Sequence, residues 1–440
     1  MSNQAEEHAG LRRDLTLLDA IMVNMGTMIA SGIFLVPATI AHQLQFSGLI
    51  LLAWVAGGIV SILGALAVAE LGAAMPKVGG HYIYLREAYG ELWGFLYGWT
   101  AFAVINTASI SAIAVGFATY LGTIFPLSAL EVKTTAIVSI VILTAINCYG
   151  LKFGAIVQNV LTIAKIAAFG GLLAAGFVLS AGSWSNLVPF LPDQSSVIVP
   201  GTFGLAVLTT LWAYDGWIEV TFVAGEVKSP QRNLPLSIIF STLAVVVLYS
   251  LVNLVYLYVL SPNGVAGSSF VASDTAAVLA GSSAATFMAI AIMISMLGSN
   301  NGIVFTAARI PFAMAREGEF FKMMGLVHPR FHTPAMALIA QGVLACLFVT
   351  TGTYDQLITY VVFASFIFYG MTAGAVIVLR KKQPELERPY KTWGYPITPI
   401  VFMIFSGWLV FNTIMEAPRD AAIGSGIILL GLPAFYYWKK

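Results

Sequence analysis

Residues 19–42 read DAIMVNMGTMIASGIFLVPATIAH. The run is apolar and long enough to cross a bilayer, yet Gly26, Thr27, Ser31, Gly32 and Pro37 interrupt it. A second run, TFGLAVLTTLWAYDGWIEVTFVAGE at 202–226, carries an acid and a glycine, Asp215 and Gly216, at its middle. Ser31-Gly32-Ile33 and Asp215-Gly216-Trp217 lie 184 residues apart. Each of the two runs opens a block of five apolar segments. An unwound turn at membrane depth frees N–H and C=O groups that hydrocarbon cannot satisfy, so it persists only where protein or a ligand supplies partners. Interruptions at matching places in two halves of a chain point to a binding site at the bilayer midplane. The half-helix N-termini suit a carboxylate. The freed carbonyls suit an ammonium, and an α-amino acid carries both groups on one carbon.

The surrounding composition agrees with a membrane setting. Of 440 residues, 59% are hydrophobic and 9% charged, against about 25% charged in an ordinary soluble domain; the mean hydropathy is +0.88. Net charge is +1, which excludes a strongly basic nucleic-acid surface. Apolar segments fall at about 15–41, 45–74, 94–125, 134–149, 153–181, 200–224, 234–260, 284–307, 335–351, 357–379, 396–415 and 422–438. These predict an all-α membrane protein of twelve transmembrane helices. The chain reads as one transporter domain, 1–440, with a first repeat at about 15–181, a second at about 200–379 and two extra helices at about 396–438. Twelve crossings put 18 of the 21 Lys and Arg on the side of the termini, only Lys133 and Arg419 on the other, and Lys165 within the membrane. By the positive-inside rule both termini are cytoplasmic, in a multi-pass cell (plasma or inner) membrane protein. The polar N-terminus carries no signal-peptide pattern. Of the outer loops, 182–199 and 261–283 are the long ones, and the second has room for a short helix. No Gly-Lys dipeptide occurs, so no phosphate-binding ATPase loop is present. No cofactor is implied. His328 and His332 have no third ligand nearby to make a metal site.

Lys165 is the one charge in FGAIVQNVLTIAKIAAFGGLLAAGFVLS, residues 153–180. Twelve residues at about 1.5 Å each place it roughly 18 Å from Phe153, near the centre of a core about 30 Å thick. Intramembrane charges are functional by default. A lysine there can stand in for a bound cation, with the broken first helix supplying carbonyls, or it can carry a proton. Asp215 is a tether for its helix, a charge partner for Lys165, or a ligand for a substrate amine. Glu219 faces a polar seam. Glu70, Glu226, Arg309 and Arg316 read as ion pairs at cytoplasmic ends. In AVINTASISAI (103–113), helical spacing puts Ile105 and Ser109 on one face, where they line a side-chain pocket or bond within their own helix.

As a set, GTMIASGIF (26–34), AELGAAMPKVGGHYIYLREAYG (69–90), WAYDGWIEVTFVAGEVKSPQRNLP (212–235) and GSNNGIVFTAARIPFAMAREGEFF (298–321) resemble the L-type amino-acid transporter family of the amino acid–polyamine–organocation superfamily. The likeness runs from about 12 to 330. It implies a leucine-transporter-like fold of two inverted five-helix repeats with broken helices 1 and 6. It implies sodium-independent exchange of small or medium neutral amino acids by alternating access. It places the substrate carboxylate at Ala30, Ser31 and Gly32 and the amine at carbonyls of Met28, Trp212, Ala213 and Asp215, with Trp212 as the outer gate. Lys165 matches a fifth-helix lysine of sodium-independent members. Ala30 replaces a customary glycine, and Asp215 a residue that is small in animal members. Loop 126–133 lacks the cysteine through which animal members bind a heavy chain, so the expected partners are the amino-acid substrate and the bilayer, without a disulfide-linked heavy chain. Proton-coupled symport, and an amino-acid sensor or channel, are the alternative readings.

Overall fold

The computed structural model describes residues 11–179, 181–192, 200–351 and 354–439. The first ten residues, and 193–199 of the long outer loop, lie outside that set. Apart from one bridge pairing Leu15 with Val227, all regular structure among the described residues is helical. The order is α1 (Leu17–Met28), α2 (Gly32–Leu44), α3 (Ser47–Ala74), α4 (His81–Tyr89), α5 (Glu91–Thr100), α6 (Asn106–Leu121), α7 (Ala129–Cys148), α8 (Leu151–Val178), α9 (Pro200–Tyr214), α10 (Glu219–Phe222), α11 (Pro230–Ala266), α12 (Val271–Ala280), α13 (Ser282–Ala307), α14 (Arg309–Arg316), α15 (Ala335–Thr351), α16 (Tyr354–Lys382), α17 (Ile397–Glu416) and α18 (Pro418–Trp438). Nine helical stretches among the described residues are long and apolar enough to cross a membrane, and α1 with α2 makes a tenth, bent by 40°. The apolar α9 and α15 fall below that length.

Local chemistry sets the ends that position the site. Thr16 caps α1 in a reciprocal box with Asp19, satisfying two amides that a helix start leaves open. At the other end Ile29 N–H still reaches Met25 O, but Ala30 N–H turns back to Met28 O at 2.8 Å. The helix resumes only when Phe34 and Leu35 both donate to Ser31 O. The chain stops again after Tyr214, where Gly216 takes φ +114, a left-handed conformation that costs glycine little. Between α5 and α6 a five-residue π turn, Ala101–Ile105, shifts the register just before Asn106; such turns cluster at functional sites. The expected short helix in outer loop 261–283 is α12.

The core holds the two interruptions against each other. A Cβ on Gly32 would sit 2.5 Å from Ala213 Cα, and one on Gly216 would sit 2.9 Å from both Met28 N and Thr27 Oγ1. Only glycine permits that backbone contact. Gly26 is equally close to Gln158 and Thr162 of α8, so the first interruption is bracketed by α8 on one side and α9 on the other.

Candidate functional site

Each interruption is held by a side chain from the other half of the chain. Asn24, fully buried in α1, donates from Nδ2 to Trp217 O at 3.0 Å and accepts Val220 N–H at 2.9 Å. One amide thus replaces the helical bonds lost across residues 215–218, as a buried backbone requires. Thr27 Oγ1 lies 3.1 Å from Gly216 O. In return, Tyr249 of α11 donates to Met28 O at 2.8 Å. Tyr214 donates to Trp54 O at 3.0 Å, and Trp54 packs edge-on against both Tyr214 and Tyr249.

Lys165 is buried against the back of the first interruption. Its Nζ donates among four oxygens: Gly26 O at 2.7 Å, Ile29 O at 2.9 Å, Ser295 O at 3.0 Å and Ser299 Oγ at 3.0 Å. Ser299 Oγ lies 2.7 Å from both Gly26 O and Ile29 O, and Ser295 Oγ donates to Ile29 O at 2.9 Å. Gly298 clears the space, since a Cβ there would come within 3.3 Å of Lys165 Nζ. Every partner is a neutral oxygen, and the ammonium ties α8, α13 and the end of α1 together. The reading of Asp215 as its charge partner is corrected. Asp215 Oδ1 accepts from Tyr369 of α16 at 3.0 Å, which anchors the second interruption to a different helix. Glu219 takes the hydroxyl of Thr306.

The remaining expected residues fall around the same junction. Trp212 is buried, and its carbonyl accepts Asp215 N–H at 3.3 Å. Ala213 packs on Gly32. Ala30 is partly buried, Ser31 wholly so. Met28 O is taken by Tyr249 and Ala30. Ser109 donates to Ile105 O at 2.7 Å within its own helix. Both residues share a helical face with Gly116, two turns beyond Ser109, and a Cβ on Gly116 would lie 3.9 Å from Ser31 Cβ. Asn24, Tyr249, Ser295, Ser299 and Tyr369 escaped the sequence reading. Ser295 and Ser299, one helical turn apart in an apolar run, were the available signal.

On the face that carries the N-terminal segment, buried ion pairs and backbone bonds tie the elements together. Arg309 grips Glu226 through two bonds, 2.8 and 3.2 Å, with both side chains buried. Leu15 exchanges backbone bonds with Glu226 O and Lys228 N. Glu70 pairs with Arg380 at 2.7 Å. The expected ion pair at Arg316 does not form; its exposed side chain has no partner among the described residues. Asn147, Asn301 and Gln158 form a buried amide chain between α7, α13 and α8.

Two glycine-tight interruptions facing each other, with the Lys165 amine in a neutral-oxygen nest behind one of them, have the pattern of a multi-pass membrane transporter built on broken helices. The comparisons make this specific: residues 15–437 match the amino acid permease family, and the chain belongs to it, among the L-type members of the amino acid–polyamine–organocation superfamily. It is 34% identical over 437 residues to the serine/threonine exchanger SteT of Bacillus subtilis, covering 99% of this chain and 98% of that protein. It is 33% identical to b(0,+)-type amino acid transporter 1 of Rattus norvegicus, covering 97% and 88%. It is 32% identical to large neutral amino acids transporter small subunit 2 of Mus musculus, covering 100% and 85%.

Proposed function

We propose that this protein is a sodium-independent exchanger of small or medium neutral amino acids, working by alternating access in the cell membrane with both termini cytoplasmic. The observation that carries the reading is the Lys165 nest. A fixed ammonium already sits among the oxygens of Gly26, Ile29, Ser295 and Ser299, so the first interruption is held without a dissolved cation. The names of its full-length relatives, an exchanger of serine and threonine and a transporter of large neutral amino acids, support the substrate class. The substrate lies between the two interruptions. Its carboxylate meets the amides of Ala30, Ser31 and Gly32 at the start of α2; its ammonium meets carbonyls of Met28, Trp212, Ala213 and Asp215. Ile105 and Ser109 border its side chain, and Trp212 closes over it. The chain folds as twelve crossings, in two inverted repeats of five plus two further helices. It works without a disulfide-linked heavy chain.

The binding step is an exchange of partners. Tyr249 and Ala30 now occupy Met28 O, and Gly32 rests on Ala213; a zwitterion entering between them replaces these contacts with its own charged groups. Opening toward the cytoplasm parts the Arg309–Glu226 pair and the Leu15 bridge. The test is counterflow. Proteoliposomes loaded with unlabelled serine accumulate labelled serine with or without sodium, and empty vesicles do not. Sodium-dependent uptake into empty vesicles refutes the exchanger reading, and accumulation driven by a pH gradient alone replaces it with proton symport.

A further inference from the structure

The molecule has a second polar hollow, distinct from the interruptions. A cavity of about 1110 Å³ opens on the face of the N-terminal segment, between that segment, the 75–80 loop, the start of α11 and the end of α14. Among the described residues its walls carry Arg13, Lys77, Arg232 and Arg316, and two carboxylates, Glu87 and Glu317. Glu317 is already engaged by Arg86. Lys77, Arg232 and Arg316 are exposed and have no side-chain partner among the described residues. Elsewhere on this face Arg309 is held by Glu226, Arg380 and Arg388 by Glu70, Arg86 by Glu317 and Glu319, and Lys382 by Ala88 O, while Lys152, Lys322, Lys381 and Lys391 stand exposed and apart from the hollow. Like charges from separate elements gather around one hollow at a repulsive cost, which a shared anion reverses. The helix α11, continuous from Pro230 to the break at Ser261, starts at the cavity wall, adding the positive end of a helix dipole.

We propose that this cavity binds a phosphate-bearing anion, and that the bound anion holds the adjoining gate shut. A phosphate group carries about −1.5 to −2 charges and three strong acceptor oxygens, which matches the cations Lys77, Arg232 and Arg316 converging from three elements. A monocarboxylate has neither the charge nor the reach. Guanidinium forks suit phosphate in particular. The link to the gate is covalent and short. Arg232 lies four residues after Lys228, and Arg316 at the far end of the helix that begins with Arg309. An anion bridging them ties together the segments that must part for the substrate to leave on this side. The same chemistry is offered by an anionic lipid headgroup and by a soluble phosphate. The gating half of the proposal rests on the exchanger reading; the binding half does not.

The experiment separates these. The purified full chain in neutral detergent is titrated with sodium pyrophosphate at matched ionic strength and its thermal midpoint read. The wild type gains several degrees. The triple variant Lys77→Gln, Arg232→Gln, Arg316→Gln folds, since all three side chains are exposed, and gains none. A control variant, Lys152→Gln, Lys322→Gln, Arg330→Gln, neutralises the same face outside the cavity and keeps the shift. In a second arm, serine counterflow is compared in phosphatidylcholine vesicles, in the same vesicles with pyrophosphate on the gate side, and in vesicles containing phosphatidylglycerol. The anion slows wild-type counterflow severalfold and leaves the cavity triple unchanged. An effect of pyrophosphate alone identifies a soluble ligand, an effect of phosphatidylglycerol alone a headgroup. No response to either probe, an equal shift in the cavity triple, or an equal loss in the control triple overturns the site. Binding without slowing, in vesicles that do exchange, overturns the gating role.

Discussion

Lys165→Ala is the sharpest perturbation available, because the nest can be counted. Lys165 brings three protons to four acceptors; Ser295 and Ser299 bring one each. Without the ammonium, Ser299 serves Gly26 O and Ser295 serves Ile29 O. Ser295 O and Ser299 Oγ then lose their charged donor, and the tie between α8 and the end of α1 is gone. Two charge-assisted bonds at about 1.5–3 kcal/mol each put the lower bound of the loss near ~3 kcal/mol. At 1.4 kcal/mol per decade that is about a hundredfold in the population of the conformation holding the interruption closed. Serine counterflow in proteoliposomes should fall by about that factor. The thermal midpoint in detergent should fall without loss of a cooperative transition. Lys165→Arg keeps the charge but not the compact point geometry, so it should be impaired too. Counterflow within twofold of wild type in Lys165→Ala refutes the argument that the ammonium organises the site.

Other expectations follow from single contacts. Gly216→Ala places a Cβ 2.9 Å from Met28 N at φ +114; overpacking of about 1–3 kcal/mol should lower the melting temperature and abolish counterflow, and a normal melting curve would contradict the tight crossing. Asn24→Leu strands Trp217 O and Val220 N–H, at about 1–3 kcal/mol per group, and should abolish exchange although Asn24 is not expected to touch substrate. Arg309→Gln leaves Glu226 buried and unpaired, costing about 3–5 kcal/mol; the double variant Arg309→Met, Glu226→Met should melt higher than either single one. His81, in the short helix α4 outside the spanning helices, is buried among the rings of Tyr84, Tyr97, Phe222 and Tyr369, and burial pushes it down to about 3 from an ordinary 6.5. The unfolded chain therefore takes up this proton first, so its stabilising contribution is complete above pH 6.5 and falls by about 1.4 kcal/mol per pH unit toward 3. His81→Gln should flatten that part of the melting profile, and an unchanged acid slope would reject the assignment.

The apolar runs were legible because membrane partitioning is a local, nearly additive property of each segment. The run read at 134–149 is instructive: the helix is Ala129–Cys148, extended at its start by a capping box of Ser128 and Glu131 that a hydropathy sum counts as loop. The interruptions were legible for a related reason, since glycine, proline and an acid inside an apolar run are local anomalies. Arg316 misled the reading. Its place at a helix end resembled that of Arg309, but α14 turns it into the cavity, where neighbouring Glu317 is taken by Arg86. Asn24 and Tyr249 were invisible because nothing near them in the chain shows what they bond; their partners lie about 200 residues away.

Residue order alone specifies a helical membrane protein with two interrupted segments, a lysine inside an apolar run and most Lys and Arg on one side, because transfer free energy and backbone conformation are written residue by residue. Which oxygens receive the lysine follows from the packed bundle. That packing also decided that Asp215 answers to Tyr369 and that Lys77, Arg232 and Arg316 share one hollow. Hydrogen bonds and ion pairs act over about 3 Å. Residues more than a hundred positions apart come that close only when the whole bundle has packed.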